Sequence, residues 1–253
     1  MWRPGPLGVA AARHGVLNHP GITFAGDTHG CLDHLIEAPP DDIIIHVGDF
    51  APVDRPVSEL LPPGVLERFY FIPGNHDYDR PAYRECLLED PALAGRCLHG
   101  CVLQIGKLRV AGLGGIFKQR MWYPQKRLTA PEYPAPEDYI RTLPKKDRPG
   151  AGSSRRMRGA IWYSMWAQLA CDRADLLVTH EAPTSHAHGF AAIDELARRL
   201  GATTVVHGHH HVDYAGTVCG GSVRVLGVGL RGLTRLDGRV LRAGMGSRGQ
   251  GPR

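Results

Sequence analysis

Five short clusters of carboxylate, imidazole and amide side chains constrain this chain more than any other feature, because each follows directly on a run of apolar, β-favouring residues. The clusters are Gly26-Asp27-Thr28-His29-Gly30, Gly48-Asp49, Gly74-Asn75-His76-Asp77, Thr179-His180-Glu181 and His207-Gly208-His209-His210-His211. The runs before them (22–25, 43–47, 69–72, 175–179 and 203–206) read as strands, and helical stretches are interleaved with them, at 32–37, 81–88, 159–172 and 193–200. Strands alternating with helices predict a layered α/β domain. In open α/β sheets the carboxyl edge of the strands is where ligands bind.

The spacing within the clusters suits cations. Asp27 and His29 are one residue apart on a turn, as are His209 and His211, so each pair can project to one side and clamp an ion or reach two adjacent ions. The donor set is hard to borderline and fits divalent Mn, Fe, Zn, Ni or Co. Asp49 stands alone after its strand, well placed to bridge two ions through its two oxygens. Two divalent ions against the charges of Asp27 and Asp49 leave an excess of +2, enough to hold an anionic substrate and to favour reaction at phosphorus. Any one cluster alone is an ordinary turn; the order of all five points to a metal centre.

This series resembles the signature of the calcineurin-like metallophosphoesterases over residues 26 to 211. The resemblance implies a four-layer αββα sandwich of the α/β class with a two-ion site at one edge. It implies one ion held by Asp27, His29, Asp49 and His211, and a second held by Asp49, Asn75, His180 and His209. It further implies attack by a metal-bound hydroxide on a phosphate mono- or diester, with His76 as general acid and Asp77 orienting it. Arg55, His186 and His188 are candidate substrate contacts. Expected substrates are a phosphorylated small molecule, a nucleotide, a phosphoprotein or a nucleic acid, with a nucleotide or nucleic-acid phosphodiesterase or a protein phosphatase of the same fold as the alternative enzyme and a non-catalytic metal-binding scaffold as the third reading.

The net charge of +5 is unevenly spread: residues 141–158 carry +6 and residues 231–253 carry +5, leaving −6 for the rest. The basic stretch ends a segment, 117–158, that is rich in Pro, aromatic and basic residues and has little periodicity. It reads as an insertion loop with a lid or substrate role, and its charge would steer phosphate-bearing molecules. Residues 1–20 read as an extension, 21–243 as a single domain and 244–253 as a tail. A hairpin is expected at 102–111, turning at Gly106-Lys107, and closing strands at 218–228 and 233–241. No apolar run approaches the ~20 residues of a membrane span. Six Cys without a CxxC pair read as reduced thiols, and the expected location is cytoplasmic.

Overall fold

The structure is a computed structural model that describes residues 21–52, 55–145, 148 and 157–245. Two sheets face each other. The first, in the order β11-β10-β1-β2-β3, contains β1 (Ile22–Ala25), β2 (Ile43–His46), β3 (Phe69–Phe71), β10 (Leu233–Arg235) and β11 (Val240–Arg242). The second, in the order β4-β5-β6-β7-β9-β8, contains β4 (Val102–Ile105), β5 (Leu108–Leu113), β6 (Leu176–Thr179), β7 (Thr204–His207), β8 (Tyr214–Val218) and β9 (Val223–Gly227). β1, β2 and β3 run parallel, as do β5, β6, β7 and β9; the outer strands are antiparallel.

The strands are apolar on both faces because both faces are covered. Phe24, Ile45, Val47, Ile72, Val110, Leu176, Val178, Val206 and Leu226 meet between the sheets. Their strand neighbours point outward: Ala25 and Ile44 to one helical layer, Leu177, Val205 and Val225 to the other. The first layer is made of a 3₁₀ turn at Asp33–Glu37, α1 (Val57–Leu60) and α2 (Pro81–Leu88). After α3 (Pro136–Thr142), the second is made of α4 (Tyr163–Leu169) and α5 (Ala191–Leu200). The αββα layering expected from the resemblance is what the chain forms. α5 buries Ala192, Ile193, Leu196, Ala197 and Leu200 as a helical stripe and stops at Gly201, whose φ of 75° is a left-handed cap.

Three expectations are corrected. The segment beginning at residue 117 is not a structureless loop. It carries α3, started by Pro136 and by the Asp138 carboxylate accepting the Ala135 amide at 3.0 Å. It also has a small core of Met121, Tyr139, Met157, Ala160 and Trp162. Scattered aromatic and Met residues have no period to read, so this packing is invisible in sequence. The helix expected at 159–172 is confined to α4, because residues 160 and 161 run extended beside Ile116. The strand expected at 218–228 is cut short by a turn at Cys219–Gly221, where Gly220 and Gly221 take φ of 66° and 90°; Val218 ends β8, and β9 runs only from Val223 to Gly227. The hairpin at 102–111 and the turn at Asp237-Gly238 form as expected. Residues 1–20, most of the basic stretch at 145–158 and residues 246–253 lie outside the described residues. The start of the expected tail is tied down: the amide of Gly244 donates to Asp213 and that of Met245 to Leu230. None of the six cysteines, all among the described residues, is in a disulfide. Among the described residues no helix is long and apolar enough to cross a membrane.

Candidate metal centre

All five clusters emerge at the carboxyl ends of β1, β2, β3, β6 and β7, and the backbone stitches them together. The amides of Thr28 and His29 both donate to the Asp49 carbonyl, at 3.1 and 3.0 Å. His46, buried within β2, accepts the Gly48 amide on Nδ1 at 3.1 Å, which leaves Nε2–H to donate to Thr28 Oγ1 at 3.1 Å. Asp77 is fully buried, and its carboxylate accepts three amides: Gly74 at 2.7 Å, Ala51 at 2.9 Å and Asp49 at 3.0 Å. It clips the second and third clusters to each other. Burial, reinforced by the neighbouring Asp49 charge, raises the Asp77 pKa to about 6 despite these amides.

The loops are strained where they carry side chains. His29, Asp49, His209 and His211 have φ of 44°, 60°, 67° and 58°, a region that costs a non-glycine residue about 1–2 kcal/mol. Gly48 has no alternative. Its φ is 105°, and a Cβ there would lie 2.6 Å from the His180 ring.

His180 shows what the centre lacks in protein atoms. Its Nδ1–H donates to the Val47 carbonyl at 2.8 Å, so the neutral ring presents the Nε2 lone pair. That nitrogen faces Asn75 Oδ1 at 3.1 Å and Asp49 Oδ2 at 3.3 Å. Three acceptors aimed at one point need a proton or a cation between them. Donor atoms of Asp49, His180 and His209 also lie within 4.8 Å of one another. Burial alone would lower the His180 pKa, but the Asp49 and Asp27 carboxylates outweigh it and raise it. Burial pushes Asp27 up, whereas His180 pulls Asp49 down.

His29 and His211 lie near the Asp49 charge. His29 Nε2 and His211 Nε2 approach to 3.4 Å. Asp27, fully buried, accepts the His209 amide on both oxygens at 3.0 and 3.2 Å, and its Oδ1 lies 3.8 Å from His180 Nδ1. Two buried carboxylates, Asp27 and Asp49, among largely neutral imidazoles form a set that suits divalent cations.

The remaining candidates are distributed unequally. His76 is half-exposed, its ring centred 5.3 Å from that of His29, and its amide donates to Asp49 Oδ1 at 2.8 Å. Asp77 does not touch it; the carboxylate behind His76 Nδ1 is Asp79, at 2.6 Å. A buried Asp surrounded by amides cannot also reach an exposed ring, so the orienting role expected of Asp77 falls to Asp79. Its signal was the i, i+3 spacing on the 3₁₀ turn His76–Tyr78. Partial burial works against charge on His76, but the Asp79 hydrogen bond and the Asp49 charge raise its pKa. His186 and His188 border the last cluster, His186 stacked on His210 at 3.8 Å. Arg55 is exposed beside the undescribed residues 53–54. Sequence reasoning missed Arg231. Its amide donates to the Asp27 carbonyl, its Nε donates to the Thr28 carbonyl at 3.2 Å, and its φ is 54°.

A family model of calcineurin-like phosphoesterases matches residues 21–213. The chain belongs to the calcineurin-like phosphoesterase family. It is therefore a hydrolase of phosphate esters. A protein of Haemophilus influenzae described as uncharacterized is 32% identical to this phosphoesterase over 229 residues, covering 87% of this chain and 96% of that one. Among solved structures, TT1561 of Thermus thermophilus is similar at 14% identity and a TM-score of 0.41, over 85% of this chain and 94% of that one. A phosphopantetheinyl hydrolase of Mycobacterium tuberculosis is similar at 15% identity and a TM-score of 0.43, over 84% and 90%. A 5'-nucleotidase precursor, also of Thermus thermophilus, is similar at 14% identity and a TM-score of 0.38, over 85% and 50%.

Proposed function

We propose that this phosphoesterase hydrolyses a phosphate mono- or diester of a small molecule, such as a nucleotide, with two divalent cations. Asp27, His29, Asp49 and His211 would hold one, and Asp49, Asn75, His180 and His209 the other. The observation that carries this reading is the convergence of Asp49 Oδ2, Asn75 Oδ1 and the His180 Nε2 lone pair on one point. Bound there, the ions supply Lewis acidity that activates water and neutralises phosphate charge.

The chain's own groups divide the remaining work. His76 Nε2–H donates a proton to the leaving oxygen, while Asp79 holds Nδ1–H and favours the charged ring. The ring stands beside His29 and is open to solvent, so it can meet an ester oxygen from outside the centre. Asp77 acts on loop geometry: its three amide bonds fix Asp49 relative to Asn75. Arg231, anchored on the Thr28 carbonyl next to His29, presents positive charge to the substrate's phosphate.

The test is a turnover screen of the purified protein with Mn, Fe, Zn, Ni and Co against monoesters, diesters, nucleotides, phosphopeptides and RNA, alongside metal analysis. Metal-dependent turnover that disappears with the bound ions supports the reading. Two ions per chain and no turnover on any ester would leave the scaffold reading in its place.

A further inference from the structure

One flank of the centre holds metal-capable side chains that the reaction above does not use. Glu181 is 4% exposed; its Oε1 accepts the Phe117 amide at 3.1 Å, and its Oε2 lies 4.0 Å from His209 Nε2. His210 Nε2 is buried and has no hydrogen-bond partner among the described residues. The rings of His209 and His210 are 4.9 Å apart at 61°, and His186 backs His210 in a parallel stack. Donor atoms of Glu181, His209 and His210 all lie within 4.8 Å of one another. Around a tetrahedral zinc with bonds of about 2.0–2.1 Å, donors sit roughly 3.3 Å apart, so the set closes with small side-chain adjustments.

We propose that Glu181, His209 and His210 form a site for a third divalent cation of the zinc class, and that its occupancy is exclusive with the second catalytic ion. One carboxylate and two imidazoles are a zinc-type donor set with a position left for water. Exclusivity follows from His209, which belongs to both donor groups. A neutral imidazole has one basic lone pair and serves one ion at a time. A cation in the flanking site draws His209 away from Asp49 and His180, so excess zinc inhibits. The exclusivity rests on the reading of His209 as a catalytic-ion ligand; the flanking site does not.

Direct zinc binding separates the two. Asp49→Asn removes the bridge of the catalytic pair and leaves the flanking donors in place. Titrated with Zn²⁺ and read by calorimetry, Asp49→Asn is expected to bind one ion. Adding His210→Ala or Glu181→Gln is expected to weaken that binding at least tenfold; Gln retains the oxygen that accepts the Phe117 amide, and a thermal melt checks folding of each variant. Unchanged zinc affinity in both double variants overturns the site. In a second arm, the otherwise wild-type, Mn²⁺-loaded enzyme is inhibited by added Zn²⁺. His210→Ala is expected to raise the inhibitory concentration at least tenfold with basal turnover kept. An identical inhibition curve overturns the exclusivity. Zinc binding lost on His210→Ala in a protein without esterase activity would sink the proposed reaction and leave the site standing.

Discussion

At the carboxyl ends of the parallel strands, six non-glycine residues (His29, Asp49, Ala51, His209, His211 and Arg231) hold positive φ; at the amino ends only Cys219, in the β8–β9 turn, does so among the described residues. The carboxyl edge buries Asp27, Asp49, Asp77 and His180 around points where acceptors face acceptors. The amino edge has an apolar cleft of about 510 Å³ lined by Ile22, Ile43, Ile105, Leu108 and Leu236. Asp42, buried at this edge, is fully answered: Arg235 grips it through Nε and Nη2 at 2.9 and 3.0 Å, and Thr23 donates at 2.6 Å. One edge holds unfavourable backbone and unmatched charge in place for a ligand, and the other satisfies itself. Strain and unpaired polarity mark the edge that the five clusters occupy.

Substitutions at the two edges should then fail in different ways. The largest effect is expected from Asp49→Asn. Metal content measured by emission spectrometry and ester turnover fall together, the latter by on the order of 10³-fold or more; two retained ions would break the contrast at its centre. His76→Ala keeps its ions and loses about 10²–10⁴-fold in turnover, and near-wild-type turnover would remove it from the reaction. Asp42→Asn, at the opposite edge, leaves turnover at 25 °C alone. It lowers stability by about 2 kcal/mol in urea denaturation, less than the loss for a fully buried pair because Arg235 is partly exposed. Asp79→Asn is expected to cost roughly tenfold in kcat with KM unchanged, whereas Asp77→Asn should show as loss of metal affinity and melting temperature.

The smallest expected effect concerns pH. His34 is 6% exposed, neither ring nitrogen has a partner among the described residues, and burial, helped by Arg242, lowers its pKa to about 4 from 6.5. The unfolded chain therefore binds the proton more readily. The stability of the neutral ring is complete above about pH 6.5 and is lost as the pH falls towards 4. Urea midpoints at pH 7.5 and 5.0 should separate less in His34→Leu than in the wild type. An unchanged separation would remove His34 from the acid response.

The α/β layering and the placing of Asp27, Asp49, Asn75, His180 and His209 in turns at the carboxyl ends of strands were legible because they depend on order: apolar run, turn, donor, repeated along the chain. The packing of the segment after Phe117 was not, since Met121, Tyr139 and Trp162 follow no period and find each other only in three dimensions. The misassignment of Asp77 has a similar source. The resemblance implied Asp77 as the partner of His76, but on a 3₁₀ turn neighbouring side chains diverge and the residue three positions on comes round to meet it. Arg231 and the orphaned nitrogen of His210 depend on loop conformation, which composition does not encode.

The single carboxylate of Asp77 receives amides from the loops after β2 and β3. Its three hydrogens are therefore sheltered by one event. Deuterium uptake at Gly74, Asp49 and Ala51 should follow a common time course, slow together when ions are supplied and accelerate together when they are chelated. Release of a cation and opening of this clasp would then be the same motion, so the protein's grip on its ions is also its grip on this corner of its own backbone.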